Sequence, residues 1–269
     1  MKAKKILLKV FFYTGIISFS LIAVLPIIWM VLSALRPASE FFAIPPTVLP
    51  KQWSLSNFIN LFTKTDFPVF LWNSLIVTLF TVAICVSFSS LAAYSLARFK
   101  FRGRKLFIQF SMMAYMLPTV LLIIPLYMLF VKVNLTDNLF GLVLSYTALT
   151  LPYSIWLLRL FFASIPIDLE EAAAIDGASR LKTMIKVILP LSLPGIIATT
   201  VYTFTYVWNE YMFALVLIDS DAKRTFPIGL QTFITTFDIQ WEYILSGGVI
   251  VSIPAVIVFL FTQKQLIQG

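Results

Sequence analysis

The chain has 269 residues, 60% of them hydrophobic and 12% charged, with a mean hydropathy of +0.94 and a formal charge of +8. Soluble domains average roughly 45–50% apolar and 25% charged residues, so this composition excludes an ordinary soluble class and implies a membrane protein. No histidine and a single cysteine, Cys85, exclude a disulfide framework and remove the usual ligands of zinc, haem and redox centres.

In chain order the apolar pattern predicts six spans: Phe11–Leu35, Leu71–Ala97, Leu106–Val131, Leu139–Phe162, Leu193–Ile218 and Tyr243–Thr262. At 1.5 Å per residue each reaches about 30–40 Å, enough to cross a hydrocarbon core of roughly 30 Å with some tilt. The basic N-terminal segment followed by an apolar run has the outline of a signal peptide. Its run is about twice the length of a typical h-region, however, and it reads as a retained first helix. Residues 36–70 form a long connection rich in proline and aromatics (Pro37, Pro45, Pro46, Pro50, Trp53), a cap on the outer mouth, a contact for a delivering protein or an amphipathic surface loop. Pro26, Pro118, Pro125, Pro152 and Pro254 fall within spans and are expected to shape or kink them.

Fourteen of the twenty basic residues lie at the N-terminus, in the second-to-third connection (Arg98 to Lys105), around the loop between spans four and five, and at Lys264. Arg36, Lys51, Lys64, Lys132, Lys223 and Arg224 occupy the other side. The positive-inside bias therefore puts both termini and the 163–192 loop in the cytoplasm, and the high isoelectric point needs no nucleic-acid partner.

That loop is organised. Ser164, Pro166 and Asp168 are helix-starting residues, and Asp168, Glu170 and Glu171 crowd acid into a first turn where the helix dipole favours it. Small Ala172, Ala173 and Ala174 allow close approach to another surface, and Gly177 can end the helix in a geometry other residues resist. Beyond it, Leu181, Met184, Ile185 and Ile188 fall at i, i+3, i+4 and i+7, an amphipathic second helix.

Glu171-Ala172-Ala173, three residues, Gly177, nine residues, then Val187, Leu189 and Pro190 resemble the EAA signature of the membrane subunits of bacterial ABC importers, with Val187 in the place of isoleucine. Leu158, Arg159, Phe161, Phe162, Ile165, Pro166, the run Ile175 to Ser179 with Asp176, and Trp208-Asn209-Glu210-Tyr211 narrow the resemblance to the carbohydrate, maltose-type branch, and within it to the smaller permease. Asn73-Ser74 and the Ala92 to Arg98 run also fit, so the likeness covers nearly the whole chain. The resemblance implies an all-α type I importer permease whose loop couples it to an ATPase. Its implied partners are a homologous second permease, two ATPase copies and an extracytoplasmic sugar-binding protein, in a bacterial cytoplasmic membrane. The expected organisation is an N-terminal segment with first helix and outer loop (1–70), a transport core (71–263) and a short cytoplasmic tail (264–269).

There is no G-x-x-x-x-G-K-[ST] run, so ATP and Mg belong to the partner ATPase and no cofactor is expected on this chain. No G-x-S-x-G or H-E-x-x-H pattern occurs, and an enzymatic role is not expected. Glu210 is the one acid well inside a span, so it is expected to face the bundle interior, a partner or water. With Trp208, Asn209 and Tyr211 it offers stacking and hydrogen bonding to a sugar, or else braces helix packing. Two other classes fit the sequence: an importer of the same build for a glycerol phosphate ester or polyamine, and a stand-alone channel or secondary transporter.

The topology is testable. Reporter fusions after Arg104 and Lys182 are expected to report cytoplasm, and those near Lys51 and Lys223 the opposite side; an outer signal at Lys182 would end the ATPase-docking reading.

Overall fold

A computed structural model describes residues 2–41, 43–44, 47, 49–235 and 238–268, with side chains described within 9–263. Pro45, Pro46 and the side chains of Lys2, Lys4, Lys5 and Lys264, all used in the sequence reading, lie outside the described set. The described residues are overwhelmingly helical: α1 (Lys2–Ala34), α2 (Ser56–Lys64), α3 (Phe67–Arg98), α4 (Arg104–Met116), α5 (Thr119–Lys132), α6 (Leu139–Ser164) and α7 (Asp168–Ile175). They continue with α8 (Arg180–Thr183), a π turn (Met184–Ile188), α9 (Leu189–Leu191), α10 (Leu193–Trp208), α11 (Met212–Leu217), α12 (Phe226–Gln231) and α13 (Trp241–Gln268).

Among the described residues four helices are long and apolar enough to cross a membrane, and two bent pairs raise the number to as many as six. The third expected span is not one rod. It breaks between α4 and α5 with a bend of 101° at Leu117-Pro118. Proline has no N–H to continue the ladder and pushes the residue before it into extended backbone, as seen for Leu117 at ψ 131°. Hydropathy is blind to such a corner because both arms are apolar. The fifth expected span is likewise interrupted, α10 ending at Trp208 and α11 resuming at Met212. Pro26, Pro125, Pro152 and Pro254 sit inside continuous helices.

By compactness the chain forms two units, Met1–Phe67 with Leu230–Ile253, and Pro68–Gly229 with Pro254–Gly269. In the first, α1 is apolar on all sides and its apolar window is uncovered by protein. Its C-terminal carbonyls are satisfied by Asn57 of α2, whose Nδ2 donates to Ala34 O at 3.0 Å and Arg36 O at 2.7 Å. The connection after α1 thus contains a short amphipathic helix, and Glu40 closes it by accepting from the amides of Lys51 and Gln52.

In the second unit α3 buries a face of small and polar residues, Ser74, Thr78, Thr81, Cys85, Ser89 and Ala93, spaced three or four apart. Such residues let helix backbones approach closely where lipid offers no hydrophobic drive. Cys85 sits at the centre, its Sγ 3.3 Å from Ser154 Oγ and 3.4 Å from Thr150 Oγ1 on α6, and 3.7 Å from Thr203 Oγ1 on α10. Toward the end of α3 expected outside, Asn73 donates to the carbonyls of Ala222 and Arg224, and Ser74 Oγ accepts from Phe226 N.

At the α5–α6 turn, Asp137 accepts from Ser220 N and Oγ and pairs with Lys223 Nζ at 2.8 Å. Lys223 and Ser220 hold its carboxyl well below the usual carboxylate range. A depressed folded value adds stability above the unfolded value of about 3.9, and that stability is lost as pH falls toward the folded one. Asp137→Asn is therefore expected to lower the thermal unfolding temperature most above about pH 5, with the gap to the parent closing below about pH 4. A gap that does not depend on pH would assign the loss to packing.

Candidate functional site

The loop after α6 folds as a helical hairpin. Ser164 closes α6 instead of starting the next helix, its Oγ donating to Phe161 O, and Ile167 precedes the first turn of α7. α7 carries Asp168, Glu170 and Glu171 in that first turn, as the dipole favours. It ends on a Schellman arrangement: Gly177 N donates to Ala174 O at 3.0 Å and Ala178 N to Ala173 O at 2.9 Å, with Gly177 at φ +79°. A Cβ at Gly177 would meet nothing within 4 Å, so the demand for glycine is torsional and not steric. Ser179 then caps α8, accepting from Lys182 N.

The returning arm differs from a simple amphipathic helix. Met184 and Ile188 are buried as expected, whereas Leu181 and Ile185 are exposed. The chain widens into a π turn over Met184–Ile188, reaches Leu189 and exposed Pro190, and meets α10 at a 79° bend. Proline at 190 cannot donate to the ladder, which relaxes the preceding turn.

Two adjacent glutamates have opposite fates. Glu171 is exposed, together with Ala172, Asp176, Gly177 and Ile175, the last at 88%. Glu170 is buried and clamped to the end of α3. Arg98 Nε binds its Oε1, Tyr94 Oη donates to its Oε2 at 2.7 Å, and Arg98 Nη2 also holds Ile165 O at 2.9 Å. Both side chains of the ion pair are less than a tenth exposed. Arg180 stacks over Phe99, whose ring meets Tyr94 edge-on, so α8 leans on the same post. The hairpin thus has an outer face without cover in this chain and an inner face tied to a membrane helix.

The Trp208 to Tyr211 run occupies the break between α10 and α11. Trp208 is 2% exposed, stacked on Phe204 and packed on Phe226. Glu210 accepts from Tyr146 Oη at 2.7 Å and from the amides of Phe213 and Ala214. It caps α11 from the preceding turn and ties that turn to α6. Asn209 is exposed and donates to Thr205 O, while Tyr211 packs partly buried against the core.

A different aromatic set lines an opening. Tyr202 stacks 4.3 Å from Tyr153, which packs 5.0 Å from Tyr115 and 5.7 Å from Trp156. Tyr115, Thr119, Pro152, Tyr202 and Tyr206 border a cavity of about 190 Å³ at the α4–α5 corner. Pro152 lies at the middle of α6, so this cavity opens beside the centre of that helix. Among the described residues no group of three or more His, Cys, Asp or Glu is placed to hold a metal.

The family of binding-protein-dependent transport system inner membrane components matches residues 86–268. The chain belongs to that family. Similar proteins include the inner membrane ABC transporter permease protein YcjP of Escherichia coli, 30% identical over 99% of this chain and 96% of that one. The trehalose/maltose transport system permease protein MalG of Thermococcus litoralis is 34% identical over 99% and 96%. A crystal structure of a bacterial ABC transporter involved in the import of the acidic polysaccharide alginate superimposes with a TM-score of 0.84 at 25% identity, covering 96% of each chain. The chain is a permease with the type I importer fold, a transport subunit that leaves ATP hydrolysis to a separate subunit.

For this permease, sequence reasoning located the hairpin but used Arg98 only as a topological charge and, with Tyr94, as part of the Ala92 to Arg98 resemblance, and it passed over the tyrosine set. The signals were present: Tyr94 and Arg98 stand four apart at the end of α3, and Tyr202 and Tyr206 four apart on α10. Removing one member of a buried ion pair costs about 3–5 kcal/mol because the other charge is stranded. Glu170→Ala is therefore expected to raise hydrogen exchange across 165–183 by at least tenfold, while Glu171→Ala leaves it unchanged. Equal protection in the two variants would remove the clamp.

Proposed function

We propose that this permease forms half of the translocation pathway of an ATP-driven sugar importer. It pairs with a homologous second permease and two ATPase copies, and receives its cargo from an extracytoplasmic sugar-binding protein. Both termini and the hairpin face the cytoplasm in this reading, in agreement with the positive-inside bias. The observation that carries it is the two-faced hairpin, its outer face of Glu171, Ala172, Ile175 and Asp176 uncovered and its inner Glu170 clamped to α3.

Closure of the ATPase dimer on ATP and Mg pushes α7, and the Glu170–Arg98 clamp passes that displacement to α3. Because α3 packs through Cys85 against α6 and α10, the push reaches the helices that border the tyrosine cavity. Exchange between inward- and outward-facing states then follows as a population shift driven by nucleotide. The sugar class is supported by the trehalose/maltose and alginate transport of similar proteins, and by the cavity itself. Tyrosine faces meet the apolar faces of a sugar ring and their hydroxyls meet its hydroxyls. At about 190 Å³ the cavity is smaller than the roughly 300–1,000 Å³ that enclose a whole ligand, as suits a half-site completed by the second permease.

The test separates coupling from folding. Gly177→Val forces a branched residue into a left-handed backbone at a penalty of about 1–2 kcal/mol, and Glu171→Lys reverses the charge of the outer face. Both variants are expected to insert normally and to leave loading of the binding protein intact. ATPase co-purification is expected to fall about 5- to 30-fold, the range that such a penalty sets, and stimulated ATP turnover in proteoliposomes to fall with it. Normal association, turnover and uptake in both variants would sink the assignment.

A further inference from the structure

The turn between α3 and α4 opens into a concavity of about 970 Å³, apart from the hairpin and the tyrosine cavity. Its wall carries Lys100, Arg102, Arg104 and Lys105 from the turn and Arg159 from α6, with no carboxylate among the lining residues. None of the five joins an ion pair among the described residues, whose ion pairs are Arg98–Glu170, Lys223–Asp137 and Arg224–Asp221. Arg159 Nε is buried without a hydrogen-bond partner. A guanidinium nitrogen withdrawn from water with nothing to accept its proton is unfavourable, and the missing partner is an acceptor, best of all an anion. Gly103, at φ +89°, starts α4 with no side-chain cap and no acid in the first turn, so the positive end of a 13-residue helix adds to the same field. The positive-inside rule asks for basic residues near the membrane surface. It does not ask that an arginine from a neighbouring helix converge on them with a buried, unpaired nitrogen.

What lies beside the cradle identifies the anion. Leu106 lines it, and from there Phe110 and Met113 continue along α4 at i+4 and i+7, all three exposed. A strip of uncovered apolar side chains running from a cationic pocket into the membrane matches a molecule with a negative head and an acyl tail. An acidic protein surface matches only the pocket.

We propose that this cradle binds the phosphate diester headgroup of an anionic phospholipid of the cytoplasmic leaflet, with an acyl chain lying along Leu106, Phe110 and Met113. The guanidinium of Arg159 and the turn cations hold the phosphate oxygens, and the lipid anchors the α3–α4 corner one turn beyond Arg98.

In the test, the transporter assembled from the full chain and its partner subunits is equilibrated with mixed phosphatidylglycerol and phosphatidylcholine vesicles and extracted in detergent. The lipid retained per complex is then counted by native mass spectrometry. Phosphatidylglycerol is expected to be retained in preference to phosphatidylcholine and to resist displacement by inorganic phosphate. The triple variant Lys100→Gln, Arg104→Gln, Arg159→Gln is expected to lose that retention by at least about tenfold while keeping its ATPase subunits. Equal retention of the two lipids by the parent complex would overturn the proposal, and that readout does not depend on whether the variant assembles. Unchanged retention in the variant would overturn it too. Loss of the ATPase with lipid retention unchanged would make the cradle a protein interface, and full displacement by inorganic phosphate would make it a free-anion site.

Discussion

The structure depends on one constraint: in a bilayer, polar groups must find partners inside the bundle, because hydrocarbon offers none. The second unit obeys it by burying hydroxyls among its apolar core clusters while its outer surface is hydrocarbon. Thr81, Ser145, Thr150, Ser154 and Thr199 are all fully buried, and each donates back to the carbonyl four residues earlier. That local bond leaves each a small, nearly apolar knob. The Cys85 junction of α3, α6 and α10 is built from such knobs. Interhelical hydrogen bonds in membranes average only about 0.6 kcal/mol, so the junction holds through close packing, with its polar contacts setting register. Gly195 shows how close: a Cβ there would collide with the Phe161 ring.

Register at that junction gives the hairpin its mechanical meaning. α3 runs without interruption from Phe67 to Arg98, about 48 Å at 1.5 Å per residue, with Cys85 between the Asn73 anchor and the Arg98 clamp. A helix of that length transmits a push along its axis with little bending. The clamp is short, buried and made of a forked guanidinium that also grips the Ile165 carbonyl, so hairpin and helix move together. Glu210 does comparable service near the other end. By capping α11 and accepting from Tyr146 it restores backbone partners where α10 stops.

Much of this was legible in the sequence and the rest was hidden for physical reasons. Continuous apolar runs gave the apolar spans Lys9–Ala34, Phe67–Arg98, Leu139–Ser164 and Trp241–Gln263 to within four residues, because a spanning helix must be apolar along its length. The hairpin was legible through Gly177 and its preceding acid-rich turn, since few backbones other than a left-handed helix terminus need glycine in that setting. The corner at Leu117-Pro118 was not, because hydropathy measures what surrounds a helix and not its direction. Pro118 announced a change of path, yet Pro125 and Pro152 sit inside helices that continue. Nor does the sequence say which of Glu170 and Glu171 turns inward. They are neighbours about 100° apart on one helix, and only the position of Arg98, more than seventy residues away, decides between them.

The α4–α5 corner carries the same constraint to its consequence. Around Leu117 and Pro118 the helical ladder is interrupted, and Tyr115, Met116 and Leu117 are exposed. Freed carbonyls at membrane depth are tolerated only where protein or a water-filled cavity meets them. Protein or water therefore suits the backbone of this corner better than lipid does. The side of the permease that carries the broken backbone is also the side where Tyr115, Tyr202 and Tyr206 border the cavity, so phenols and open backbone lie together. A chain built only to sit in lipid has no use for a right-angled break lined with phenols. In the proposed importer, a subunit sharing an aqueous path with a second permease would need one face where open backbone and phenols lie together, and the α4–α5 corner has that character.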